Sequence, residues 1–234
     1  MTTLARVIDF ETTGTPEDDA AEIIEAGRID VDVDQGKVLD DTSWSRLCQP
    51  RGPIPPQTKA VHHITEEKVE GRLEWRDLRD DFMDGCGPGD YLVAHNADFE
   101  KHFHDGDGRA WIDTYKVARI VWPDAPEHTN QCLRYWLGLD LDPVKAWPPH
   151  RALPDAYVTA HLFCRLLAEK TPAEMVTISQ YPPLLRRITF GTKAKGETYE
   201  NAPLDYLIWL RDESSMGEDV KFSARYWIQK RTRK

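Results

Sequence analysis

Two carboxylates one residue apart, Asp9 and Glu11, stand where the apolar pair Val7-Ile8 gives way to Thr12-Thr13-Gly14. On a β-strand, alternate side chains share a face, so both acids would point one way while Phe10 points into the core. Neighbouring carboxylates resist being ionised together. A hard divalent cation such as Mg²⁺ or Mn²⁺ relieves that conflict through oxygen ligands. A strand end carrying two solvated acids would look the same, so the metal reading needs further acids. A two-ion site for phosphodiester chemistry needs about four carboxylates, with ions roughly 3.5–4 Å apart sharing water activation and stabilisation of the leaving oxygen.

The chain offers the rest in two places. After Val93-Ala94-His95-Asn96, Asp98 and Glu100 follow a strand-to-helix junction. Near the start of a later helix stands Asp155, where the helix dipole favours an ionised carboxylate. His150 precedes it by five residues, in a loop from which an imidazole can reach a water as a general base must.

The elements that must position these residues follow from pattern. Leu4 to Phe10 reads as a first strand, and alternating Ile29, Val31 and Val33 place a second within 22–33. Gln35-Gly36 turns into a hairpin partner over 37–48, giving an antiparallel meander. Pro50, Pro53, Pro55 and Pro56 mark a long loop, and helices are expected over 65–68 and 75–83. Short strands at 90–94 and 110–112 alternate with helices after Asn96, over 113–121, over 130–137 and from His150 to about Glu169. Asn96 is a candidate N-cap, with Phe99 and Phe103 as its helix's core stripe. Trp44, Trp75, Trp111 and Trp136 are expected in the core, and Val158, Leu162, Cys164 and Leu166 on the inner face of the last helix. Strand pairs followed by alternating strands and helices indicate an α/β layered domain. The expected organisation is a domain over 1–170, a proline-containing linker over 171–187 and a small basic module over 188–234. That module would hold a hairpin built on 188–191 and 196–199 and a helix over 203–211.

Composition narrows the classes. Hydrophobic residues at 40%, with 8 Trp, 8 Tyr and 7 Phe, fit a globular protein rather than a disordered one. No apolar run approaches membrane-spanning length, and no signal-peptide core follows Met1. Cys48, Cys86, Cys132 and Cys164 are scattered without zinc spacing, as expected of a reduced, cytoplasmic protein. The net charge is -10, yet residues 184–196 and 220–234 carry ten Lys and Arg and no acid. An acidic body with a basic end suits a metal site plus a phosphate-contacting surface, although basic ends also simply solubilise.

The segments D-x-E-T-T-G (Asp9 to Gly14), V-A-H-N-A-x-F (Val93 to Phe99) and H-x-x-x-x-D (His150 to Asp155) together resemble the three motifs of the DEDDh, or DnaQ-like, 3′→5′ exonucleases. With one branch of that family the likeness extends to Ala60 to Thr65 and to the C-terminal stretches Thr189-Phe190-Gly191 and Asp205 to Leu210. The resemblance implies a ribonuclease H-like fold, a mixed sheet flanked by helices with a small C-terminal extension. It implies two divalent ions, Mg²⁺ or Mn²⁺, held by Asp9, Glu11, Asp155 and an acid of the second motif, with His150 deprotonating the attacking water. It places Thr12, Thr13, His62 and Asn96 near the substrate's 3′ end. The partner it implies is DNA, single-stranded or duplex, with RNA as the alternative; a weakly active nucleic-acid-binding protein is the reading of another class. One position departs from the pattern: Glu100 stands where the family has Asp after the aromatic residue. Asp98 is the alternative ligand, and the two lie about 200° apart on a helix, so both cannot face one metal pair. Register favours Glu100.

Overall fold

The computed structural model describes residues 2–233. A five-stranded mixed sheet is ordered β3-β2-β1-β4-β5. β1 (Leu4–Thr12), β2 (Ile23–Asp32) and β3 (Lys37–Leu47) form the antiparallel meander, and β4 (Tyr91–Ala94) and β5 (Ala110–Asp113) extend it in parallel beside β1. Ten helices accompany the sheet among the described residues: α1 (Pro56–His62), α2 (Glu66–Val69), α3 (Trp75–Met83), α4 (Ala97–Phe103), α5 (Thr114–Val121), α6 (Asn130–Trp136), α7 (Ala152–Leu167), α8 (Pro172–Ser179), α9 (Leu204–Asp212) and α10 (Glu218–Thr232). None is long and apolar enough to cross a membrane.

Strand alternation divides the core. Ala5 and Val7 of β1 join Ile29, Val93 and Ile112 in a cluster under α5, α7 and α8, whereas Ile8 and Phe10 join Trp44, Leu92 and Phe82 on the opposite face. Asp9 and Glu11 continue the Ala5-Val7 row, so they face α7. Arg6 belongs to neither apolar cluster. Its guanidinium is buried, forks onto Asp30 at 2.9 Å on both sides and donates to the Phe82 carbonyl at 2.7 Å, tying β1, β2 and α3 together.

Several expectations change. Residues 56–62 are helical, because Pro56 sits at the helix start, where its missing N–H costs nothing. Residues 172–179, expected inside a linker, form α8 with a Thr171/Glu174 capping box, and its Met175 is buried in the first cluster. The 188–199 hairpin reduces to one antiparallel bridge, Arg187 to Thr198. A third cluster, built on Ile188, Tyr199, Leu207, Leu210 and Val220, fills the C-terminal part. On α4 the buried positions are Ala97 and Glu100; Phe99 and Phe103 are half-exposed. Trp136 lies 43% exposed rather than in the core, and Cys164 is only partly buried.

α7 reaches the sheet unusually closely at Gly27 of β2. A Cβ there would stand 2.4 Å from the Ala152 carbonyl carbon and the Leu153 nitrogen, backbone atoms that cannot swing aside. Gly27→Ala therefore pushes away the first turn of α7; it is expected to destabilise the fold by about 1–3 kcal/mol in urea unfolding. An unchanged midpoint would show that the helix does not lie this close.

Candidate active site

The close approach at Gly27 delivers the third acid. Asp155, in the first turn of α7, meets Asp9 and Glu11 so that one carboxylate oxygen from each lies within 4.8 Å of the others. A fifth acid organises this meeting. Glu25, opposite Glu11 on β2, is buried and takes both Arg151 nitrogens, at 2.8 Å (Nε) and 2.6 Å (Nη2). It also accepts the Ala152 N–H at 3.1 Å. Glu25 is thereby ion-paired and holds the start of α7 against the sheet.

Asp155 is held at both oxygens. Oδ1 accepts from Gln131 Nε2 at 3.0 Å, and Oδ2 accepts the His150 backbone N–H at 2.7 Å. His150 itself is exposed and occupies the left-handed region at φ 59°. Its backbone is thus fixed to a candidate ligand while its imidazole remains open to solvent.

α4 sends its two acids in different directions. Asp98 is exposed and ion-paired with Lys116 at 2.6 Å and Lys101 at 3.4 Å. Partial burial works against its ionised form, but these partners outweigh that and lower its pKa. Glu100 is 3% exposed, and its Oε2 has no hydrogen-bond partner. It lies outside the tight trio, yet its charge acts on Asp9, and it feels those of Asp113 and Glu11.

The remaining expected residues surround this cluster. Thr12 Oγ1 donates to the Gly14 carbonyl at 2.6 Å, and Thr13 Oγ1 accepts the Glu22 N–H at 2.9 Å, so both hydroxyls shape the turn after β1. His62, on α1 rather than in a loop, is buried beside the Thr12 backbone. Its Nδ1 accepts the Ile64 N–H at 3.0 Å, which in the neutral ring puts the proton on Nε2, a buried donor without a partner. Asn96 is exposed at φ 82°, and its side chain does not cap α4. Asp113 does that work instead, accepting the N–H groups of Asn96, Ala97 and Lys116 and so capping both α4 and α5. His95 bonds the His128 carbonyl at 2.8 Å, and burial pushes its pKa down to about 4.

Loss of hydration raises all four candidate carboxylates; repulsion from neighbouring acids adds to it at Asp9, Glu11 and Glu100, whereas the bonds from His150 and Gln131 offset part of it at Asp155. Asp9 and Glu100 are driven well above the usual carboxylate range, Asp155 is raised, and Glu11 reaches about 8. An orphaned buried carboxylate oxygen beside three converging acids is a donor set for hard divalent cations. Glu25, Arg151, Gln131 and Lys116 carry no motif of their own.

These shifts set a stability profile. With a folded pKa of about 8 against an ordinary 4.5, Glu11 binds more protons folded than unfolded throughout that window. Stability of the metal-free protein is therefore expected to fall as pH rises from about 4.5 to about 8, and millimolar Mn²⁺ is expected to restore it. Thermal melts with and without EDTA across that range check this; a metal-free midpoint that rises with pH would contradict the crowding.

An exonuclease family model of the RNase T type matches residues 7–163. Exodeoxyribonuclease 10 of Escherichia coli (strain K12) is 31% identical over 97% of this chain and 99% of its own length. The DNA polymerase III subunit epsilon of Treponema pallidum (strain Nichols) is 29% identical over 77% of this chain and 85% of its own. Among solved structures, exonuclease X in complex with 5′ overhanging duplex DNA superposes with a TM-score of 0.63 at 31% identity, covering 75% of this chain and 99% of that one. The mixed sheet and flanking helices are thus the ribonuclease H-like fold, and the chain belongs to the DnaQ-like exonuclease family.

Proposed function

We propose that this chain is a metal-dependent 3′→5′ exodeoxyribonuclease that releases 5′-mononucleotides from DNA 3′ ends. The observation that carries the reading is the convergence of Asp9, Glu11 and Asp155, with His150 hinged on Asp155 by its backbone N–H. The near full-length similarity to an exodeoxyribonuclease favours DNA over RNA as substrate. Asp9, Glu11, Asp155 and Glu100 would hold two Mg²⁺ or Mn²⁺ ions. When bound, such ions supply positive charge against the attacking water and the departing 3′-oxygen.

The chain's own residues supply the rest. The exposed imidazole of His150 takes the proton from the attacking water, its backbone fixed by Asp155 so that the ring swings over a short arc. Gln131 and the His150 N–H keep Asp155 from turning away. His62 offers its buried Nε2–H, and Asn96 an uncommitted side-chain amide, to the terminal nucleotide. Thr12 and Thr13 act through the turn they build, which borders that space. Glu100 rather than Asp98 serves as the fourth acid, because Lys116 and Lys101 already satisfy Asp98.

Single-stranded DNA, duplex DNA and RNA labelled at either end, with Mg²⁺, Mn²⁺ or EDTA, test this reading. The expected outcome is mononucleotide loss from DNA 3′ ends that EDTA and Asp9→Ala abolish, and that His150→Ala slows by about 10²- to 10⁴-fold. Glu100→Gln is expected to cost far more activity than Asp98→Asn; the reverse order would make Asp98 the ligand. Faster degradation of RNA, or tight binding without turnover, would sink the proposal.

A further inference from the structure

The C-terminal helix α10 has two unlike sides. Val220, Ser223 and Ala224 are buried, Trp227 and Ile228 pack against the third core cluster, and Arg231 donates to the Ala202 carbonyl at 2.6 Å. The opposite side carries Phe222, Tyr226, Lys230 and Arg233, spaced by about one helical turn each, so they form one stripe. Tyr181, 53% exposed, stacks on Phe222 with ring centres 6.1 Å apart and planes 17° from parallel, extending the stripe. Tyr226 is 37% exposed. The Lys230 ammonium lies over the rings of Tyr226 and Trp227, at 5.7 and 4.6 Å, rather than against a carboxylate. No acid occurs from Val220 to Lys234, and Glu218 at the helix start is already paired with Arg225.

A helix meant only to close its module has no need to expose aromatic rings continued by cations that make no ion pair among the described residues. A polyanion with flat apolar faces complements both features: bases stack on rings, and phosphates meet the ammonium and guanidinium groups. Double-stranded DNA hides its base faces, so the unpaired strand is the better fit. We propose that the Tyr181-Phe222-Tyr226-Lys230-Arg233 stripe binds single-stranded DNA without regard to sequence, away from the acid cluster. This rests on the reading that the enzyme acts on DNA ends. Tyr181 shares with Asp98, Lys101, Lys116 and the acids Glu218 and Asp219 at the start of α10 a cavity of about 410 Å³ on the α4 flank, so the aromatic end of the stripe lies beside the element that carries Glu100, and its cations lie at the other end of the helix. It would therefore hold the strand several nucleotides from the end being cut, raising affinity for long strands without entering the chemistry.

Fluorescence anisotropy of a labelled oligothymidylate with the full chain in EDTA tests the proposal without requiring turnover. A failure of the nuclease reading would thus leave this result interpretable on its own. Tyr226→Ala is expected to weaken binding about ten-fold and Tyr226→Phe to leave it unchanged, as stacking requires. Lys230→Gln combined with Arg233→Gln is expected to reduce the slope of log affinity against log salt by about 1.4, two phosphate contacts' worth. In Mg²⁺, both sets of changes should raise KM for long strands and leave turnover of a trinucleotide as in the unaltered protein. Unchanged oligonucleotide affinity in the folded variants would overturn the proposal. So would capture of phosphatidylserine vesicles, but not of the oligonucleotide, through the same residues.

Discussion

Negative charges crowded into a poorly hydrated corner are the constraint on which this structure turns. Asp9 and Glu11 share a strand face, and α7 brings Asp155 against them. Such a cluster tends to push its members apart or to protonate them. The fold opposes separation with groups that do no chemistry. Arg151 and the Ala152 N–H converge on Glu25, which sets a cation against the repulsion and fastens α7 at the residue next to His150. Gly27 leaves room for the helix backbone to approach, and the cores on both sheet faces supply the stability against which the crowding is held. The remaining repulsion appears in the raised carboxylate pKa values, which a divalent cation would relieve.

The same economy operates at the junction of α4 and α5. One buried carboxylate, Asp113, satisfies the first N–H groups of both helices and frees the Asn96 side chain from capping. Lys116, buried between Asp98, Asp113 and the Ser179 carbonyl, draws Asp98 to the outer side of α4. Glu100, about 200° away around the helix, turns inward, and its Oε2 lacks a hydrogen-bond partner. Its longer side chain in place of the family's Asp thus carries one buried oxygen that no neighbour among the described residues satisfies.

Much of this was readable in the sequence. The alternation in β1 fixes which face Asp9, Phe10 and Glu11 take, and the boundaries of α3 and α5 follow their patterns to within a residue. The second-motif helix departs from expectation because Phe99 and Phe103 dominate any apolar pattern, whereas burial there favours Ala97 and the charged Glu100. α8 was hidden by prolines that flank a helix instead of interrupting it: Pro172 occupies its first turn. The Glu25–Arg151 pair was out of reach for another reason. Its members are 126 residues apart, and nothing local distinguishes a buried clamp from two surface charges.

On this reading the fold gathers Asp9, Glu11 and Asp155 as a donor set for divalent cations, which would displace protons that the crowded carboxylates hold without them. Calorimetric titration of Mn²⁺ into the protein at pH 7, repeated in buffers of different ionisation enthalpy, tests it most directly. The predicted result is binding accompanied by net release of protons into the buffer, with both lost in Asp155→Asn. Binding whose heat does not depend on the buffer, or binding that survives Asp155→Asn, would contradict it.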